Sequence, residues 1–301
     1  MTVRPSSRGK SMAEMKHRIA CLGDLMAECI KPVNAFPEAN TTTIFDAAAT
    51  EIGGPAFNIH WYLSQLGHRT RIVSCYGNQD RRWVLQKFRD MNVNRRGLVS
   101  FQGQTDILLS VTAQSTHRSF YRITPITKDV IRKLKRKLGI ADVIVLTGSR
   151  QKRMREWYDD LIQESGPVVF FNPSYAVYEY EDDSLVRIIQ RSDVVFLNEQ
   201  EDDHVCKVLG CTNHKDLNKV IGVNFVISMG KHGAAFVSKD SYFKEKGQPK
   251  RIRNTIGAGD ALVSGFIHTV LDGGAYEEAL KYGLALSYKK IESEDVRIRI
   301  V

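Results

Sequence analysis

The sequence predicts an α/β protein, with a mostly parallel central sheet covered by helices on both faces. Short runs rich in Val and Ile recur along the chain and are apolar on both faces, as strands buried between two helical layers must be. Between most of them lie stretches with apolar residues at helical spacing, and strands alternating with helices close into a parallel sheet. Two segments, 30–51 and 98–122, break this rhythm with period-two patches such as Leu108-Leu109-Ser110-Val111-Thr112. They predict antiparallel β excursions that form a small lid.

Taken in order, residues 1–18 are basic and contain serine, without apolar periodicity. They are expected to be a disordered tail outside the fold; a transit peptide is the alternative, given Arg4, Arg8, Lys10 and few acids. One domain is expected over 19–301. Its strands are placed at 19–25, 71–76, 143–147, 168–171, 194–197 and 225–229. Helices are placed at 57–66, 83–91, 130–138 and 157–162. In 130–138 the basic residues Arg132, Lys133, Lys135, Arg136 and Lys137 fill the positions left by Val130, Ile131, Leu134 and Leu138, which is the pattern of a solvated helix face.

With 301 residues and 43% hydrophobic content, the chain is long enough to bury a sizeable core. No apolar run reaches membrane-spanning length. Five irregularly spread cysteines (Cys21, Cys29, Cys75, Cys206, Cys211) fit a reducing compartment, so a cytoplasmic enzyme is expected. The net charge of +9 suits phosphate-bearing substrates and argues only weakly for nucleic acid. His204, Cys206, Cys211 and His214 are zinc-ligand types, but their spacing departs from the usual Cys-x2–4-Cys pairs and argues against a metal site.

The chemistry concentrates in Asn254-Thr255-Ile256-Gly257-Ala258-Gly259-Asp260, which runs into a buried helix marked by Ala261, Leu262, Phe266 and Val270. A glycine turn opening a helix exposes unpaired N–H groups at the positive end of the helix dipole, where anions collect. Asp260 stands among those donors as a base. The inference is phosphoryl transfer to an alcohol. The bland alternative is a glycine turn with Asp260 as a cap. The stretch is neither a Walker A loop nor a dinucleotide fingerprint, since Leu262 stands where the third glycine belongs. Further polar groups fall beyond the carboxyl ends of the expected strands, where open sheets bind ligands. They are Gly23-Asp24 with Glu28, Asn172-Pro173-Ser174, Asn198-Glu199-Gln200-Glu201 and Gly230-Lys231-His232-Gly233. Gly53-Gly54-Pro55-Ala56-Phe57-Asn58 opens another helix, with Pro55 suited to its first position.

Two of these motifs together carry a family resemblance. The 254–260 stretch resembles the C-terminal signature of the ribokinase-like (PfkB-type) carbohydrate kinases, and Gly53-Gly54-x-x-x-Asn58 resembles their N-terminal signature. The resemblance spans about 19–290 and implies a ribokinase-like fold with a β lid. It implies an ATP-dependent kinase acting on a hydroxyl, expected to be primary, of a sugar or sugar acid. The alternatives are a nucleoside kinase of the same fold, whose base Phe101 or Phe120 would stack, and a catalytically silent sugar- or nucleotide-binding protein. By resemblance, Asp260 is the base and the Gly257, Ala258 and Gly259 amides form the anion hole. Asp24, Glu28, Gly53, Gly54 and Asn58 grip the acceptor, with Asp24 and Glu28 expected on the first strand. Asn198, Ser228, Gly230, Gly233 and Thr255 face the nucleotide, and Asn198 with Glu201 organises Mg2+. Asn254 replaces the usual leading Asp, which argues against activation by K+. A homodimer through the lid is the expected assembly.

Overall fold

The computed structural model describes residues 17–42, 50–113, 116–162, 166–247 and 249–300. In chain order it runs β1 (Arg18–Leu22), β2 (Met26–Pro32), β3 (Thr50–Gly53), α1 (Pro55–Gln65), β4 (Arg69–Gly77), α2 (Arg81–Asp90), β5 (Leu98–Phe101), β6 (Asp106–Ala113) and β7 (Thr116–Arg122). There follow α3 (Lys128–Leu138), β8 (Val143–Thr147), α4 (Lys152–Leu161), β9 (Val168–Asn172), α5 (Asp182–Arg191), β10 (Val194–Asn198), α6 (Glu199–Leu209) and α7 (Leu217–Ile221). The chain then continues through β11 (Asn224–Ser228), β12 (Ala234–Val237), β13 (Tyr242–Glu245), α8 (Ala258–Leu271) and α9 (Tyr276–Ile291).

The large sheet has the order β13-β12-β11-β10-β9-β8-β1-β4-β5. Every pairing from β11 to β5 is parallel, and the antiparallel pairings of this sheet are β11–β12 and β12–β13 at one edge. Both faces are covered, as the strand composition requires. Leu146, Phe171, Val195 and Ile227 face a layer that includes Leu134, Trp157 and Ile188, while Val145, Phe170 and Phe196 face Leu262, Phe266 and Leu280. The chain reverses direction across the sheet between β8 and β1, and such a switch point opens a crevice at the carboxyl ends of the strands.

The lid differs from its expected bounds. A second sheet, in the order β3-β2-β6-β7, begins at Met26 rather than residue 30. Leu98–Phe101 belongs to the large sheet, where it pairs with β4, so only β6 and β7 of the expected 98–122 excursion reach the lid. Period-two alternation cannot distinguish an edge strand of one sheet from a strand of another. The β2–β6 pairing is parallel, so the lid is mixed rather than a simple hairpin excursion. β1 also ends earlier than expected, at Leu22, and the turn at Gly23–Leu25 leads directly into β2. The expected basic tail lies outside the described residues up to residue 16; His17 is buried and Arg18 opens β1. No described helix is long and apolar enough to cross a membrane. All five cysteines are free.

Candidate active site

The site forms where α1 and α8 begin, below the lid strand β2. Pro55 takes the first position of α1, where its missing N–H costs no hydrogen bond. One turn in, the Asn58 amide nitrogen donates to Asp260 Oδ2 at 2.8 Å. Asp260 lies in the first turn of α8, buried, and burial pushes its carboxyl up to about 7. The hydrogen bond from Asn58 and the charge of Arg297 oppose that rise; the nearby Glu28 adds to it.

Gly257 precedes α8 in the left-handed region at φ 81°, and a Cβ there would meet the Val296 carbonyl at 2.7 Å. Its own carbonyl accepts from Ala261 N at 3.1 Å. The Ala258 N–H donates to Thr255 O at 3.2 Å, so this amide of the expected anion hole is already engaged. Those of Gly259 and Asp260 lie in the first helical turn, which has no acceptors of its own. Space beside Gly259 is open: a Cβ built there meets nothing within 4 Å.

A cavity of about 100 Å³ opens on this turn, lined by Gly259 and Asp260 together with Asn172, Asn198, Glu201 and Ser228 from the ends of the strands. Asn198 caps α6: its Oδ1 accepts from Gln200 N and Glu201 N, both at 2.9 Å, and its amide nitrogen donates to Glu201 Oε1 at 2.6 Å. Glu201 Oε2 accepts from Asn198 N at 3.0 Å, which completes a capping box. The Asn-x-x-Glu element therefore has a structural function of its own. Burial pushes Glu201 up to about 7, with the Asp260 charge adding to the rise. Two buried acids around one small cavity favour a cation there. Since both Glu201 oxygens already accept hydrogen bonds, the pair fits Mg2+ held through water rather than directly.

On the other side of Asp260 the acceptor candidates split. Glu28 lies on β2 of the lid, not on the first strand of the large sheet as expected. The chain turns at Gly23, five residues before it, where Gly23-Asp24 interrupts the apolar run and ends β1. Glu28 Oε1 accepts from Gly54 N at 2.7 Å, while Oε2 is buried with no hydrogen-bond partner among the described residues. A Cβ on Gly53 would fall about 2.0 Å from the Glu28 carboxyl carbon, so the glycine makes room for that carboxylate. Gly54, at φ 98°, lies against the Asp24 carbonyl. Asp24 follows β1 at the switch point and is also buried, and burial pushes it up to about 7. Both its oxygens are taken, Oδ1 by Ser149 Oγ at 2.5 Å and Oδ2 by Arg150 N at 2.9 Å. Of the two acids, Glu28 is the one that shares the Asn58–Asp260 cluster.

Gly230 and Gly233 fold the β11–β12 turn, where a Cβ on Gly233 would meet Glu245 O at 2.0 Å; neither lines the cavity, whereas Ser228 does. Thr255 is exposed, and Phe101, the last residue of β5, is buried in the core of the large sheet. Phe120, on β7, is 60% exposed. His204, Cys206, Cys211 and His214 do not converge: Cys206 and His214 both turn to Asp202, and His204 packs on Tyr178. Among the described residues the metal-ligand types that do converge are His68, His268 and Asp272, at the opposite end of α8.

The sequence reading missed two cations here. Arg297, from the segment that folds back after α9, donates to Asn58 Oδ1 at 2.7 Å and lies 5.1 Å over the Phe57 ring. It fixes the orientation of the Asn58 amide, since a guanidinium only donates and a carboxylate mainly accepts. Nothing in Val296-Arg297-Ile298-Arg299-Ile300 marks one arginine over the other. Lys290 did leave a signal: it falls at helical spacing from Gly283, Leu286 and Ser287, on the buried face of α9.

The description pfkB family carbohydrate kinase matches residues 16–300. The nucleoside kinase of Methanothermobacter thermautotrophicus is 23% identical over 297 residues, covering 96% of this chain and 94% of that relative. The 5-dehydro-2-deoxygluconokinase of Listeria innocua is 23% identical over 257 residues, covering 78% of each. Among solved structures, Burkholderia thailandensis nucleoside kinase in complex with inosine superposes with a TM-score of 0.82 at 17% identity, over 94% of this chain and 93% of that one. The nucleoside kinase of Methanocaldococcus jannaschii gives 0.78 at 19% identity, over 95% of both chains. These likenesses show the ribokinase-like fold. With a match that runs through both glycine signatures, the chain belongs to the pfkB family of carbohydrate kinases, which are ATP-dependent phosphotransferases.

Proposed function

We propose that the protein transfers the γ-phosphoryl group of ATP to a hydroxyl, expected to be primary, of a sugar or sugar acid, with Asp260 as the base. The observation that carries this reading is the double contact of Asp260. It faces the strand-end cavity on one side and the Asn58, Gly54 and Glu28 cluster on the other. A carboxylate with a pKa near 7 is matched to accepting a hydroxyl proton at neutral pH. In the reaction, Asp260 takes the proton, the hydroxyl oxygen bonds to the γ-phosphorus, and the bond to the β–γ bridging oxygen breaks to release ADP. The Gly257 and Gly259 amides and the α8 dipole stabilise the charge on the transferring group. Glu28 Oε2 and the second N–H of Asn58 orient the acceptor. Mg2+, held through water near Asn198 and Glu201, would neutralise phosphate charge.

A nucleoside acceptor is the second reading, favoured by nucleoside kinases that match this chain over nearly their whole length. Exposed Phe120 is the aromatic left to stack a base. A panel of sugars, sugar acids and nucleosides, scored by acceptor-dependent ADP release, separates the two. Ligand binding with no ADP from any acceptor would instead make the protein a silent binder and refute both.

A further inference from the structure

Lys290 is 0% exposed, yet no carboxylate among the described residues lies within salt-bridge distance of it. Its ammonium donates to the Asn254 carbonyl at 2.9 Å, and its Cε lies 3.8 Å from where a Gly257 Cβ would stand. The charge is therefore buried under the loop that opens α8, at the positive end of that helix. Both features are unfavourable in the protein alone. The Asp295 charge favours the ammonium only from beyond salt-bridge distance. A buried ammonium without a direct ion pair is costly, and a cation at a helix N-terminus opposes the dipole. The cost is offset when an anion occupies the amides above it.

The loop is shaped around this lysine. Asn254 Oδ1 accepts from Ile256 N at 2.9 Å and its amide nitrogen donates to Glu294 O at 2.9 Å, so its side chain is spent on the loop and its carbonyl is turned to Lys290. The side chain of the residue whose carbonyl meets the ammonium is thus neutral. We propose that Lys290 is a positioning residue for phosphoryl transfer: its ammonium, locked beneath 254–257, is a built-in cation that charges the anion-binding amides without help from a dissolved monovalent cation. The inference rests on the kinase reading and deepens it. Burial pushes the ammonium down to about 8, which leaves it mostly charged at neutral pH.

The test uses the full chain with ATP, Mg2+ and the acceptor found by the panel. Wild-type turnover should stay within about twofold when K+ is replaced by tetramethylammonium. Lys290→Met should lower kcat about a hundredfold, the scale of losing one preorganised donor, with a smaller change in KM. Its melting temperature should hold or rise, because a buried unpaired charge has been removed. Partial rescue of that variant by K+ or NH4+ would complete the case, and Lys290→Gln provides a second neutral variant. A wild type that loses about tenfold without K+, or neutral variants that keep full turnover, would overturn the inference while leaving the kinase reading intact. Loss of stability in step with turnover would mark a merely structural lysine and overturn it too. A wild type that releases no ADP with any acceptor would sink the kinase reading itself.

Discussion

Replacing Arg297 with Met removes one positive charge from the cluster around the proposed base and releases the Asn58 amide. The groups facing Asp260 are Glu28 from β2, Asn58 and Tyr62 from α1, Glu201 from α6, and Arg297. Arg297 is the cation of that set, and Glu51 faces it from β3. An opposite charge nearby lowers a carboxylate pKa, so the loss of Arg297 raises that of Asp260. The sign follows: the acidic limb of kcat/KM moves to higher pH. From a starting value of about 7, half the base is ionised at pH 7, and a one-unit rise leaves about a tenth. Activity at pH 7 should fall about fivefold for that first unit, and about tenfold more for each further unit. Above about pH 9 the gap narrows to what the freed Asn58 costs in orientation. The assay is ADP release across pH 5.5–9.5 for wild type, Arg297→Met and Arg297→Lys. The Lys variant keeps the charge and should keep the wild-type limb. An unmoved limb in the Met variant would refute the coupling between Arg297 and the base.

Asp260→Asn should fold and still bind ADP, but lose turnover by about 10²–10⁴-fold, the usual share of general-base catalysis. Retained turnover would dismiss Asp260 as base. Gly257→Ala places a side chain at φ 81° against the Val296 carbonyl and should destabilise the fold by about 1–3 kcal/mol, read by urea unfolding. Glu201 is raised by burial to about 7, so its ionisation costs the fold stability as pH rises from its unfolded value near 4.5 through 7. Glu201→Gln should therefore be more stable than wild type at pH 8 by as much as about 3 kcal/mol, and the gain should vanish below pH 4.5. An equal gain at both pH values would mean that the carboxylate does not titrate as its burial demands.

How much was legible in the sequence depended on the range over which each feature is encoded. The buried strands and the α8 turn are written in consecutive residues, and those expectations matched the large sheet and placed Gly257 at a helix start. The two lid excursions have the right composition, but which sheet a strand joins is decided by partners far away, as for β5 and β4. Asp24 illustrates the same limit. Its side chain looks free to hold a hydroxyl until the turn after β8 delivers Ser149 and Arg150 to both its oxygens, 125 and 126 residues on. Arg297 is the extreme case, meeting Asn58 across 239 residues with no local pattern to mark it. Asn198-x-x-Glu201 carries two messages, a capping box and a buried acid, and only the second bears on chemistry.

The charges of the site make sense only as an incomplete set. Glu28, Glu201 and Asp260 are all raised by burial, which means each is held in a place where its ionised form is disfavoured. Arg297 and Lys290 are both lowered by burial, for the same reason with the opposite sign. A fold optimised for stability would pair these groups directly, yet Lys290 spends its bond on a carbonyl and Glu28 Oε2 is left without a hydrogen-bond partner among the described residues. In the proposed reaction an acceptor hydroxyl would supply the donor that Glu28 lacks. In that reaction a phosphate chain would supply the anion that Lys290 and the α8 amides lack, and a hydrated divalent cation would supply what Glu201 lacks. Ligand binding should therefore stabilise this protein strongly, and more than additively when ATP and acceptor are present together, because both halves of the site act on the one carboxylate of Asp260, which is coupled to Glu28 on one side and Glu201 on the other. Melting curves with ADP alone, acceptor alone and both measure this. Strict additivity would mean that the two halves of the site, joined through Asp260, do not communicate.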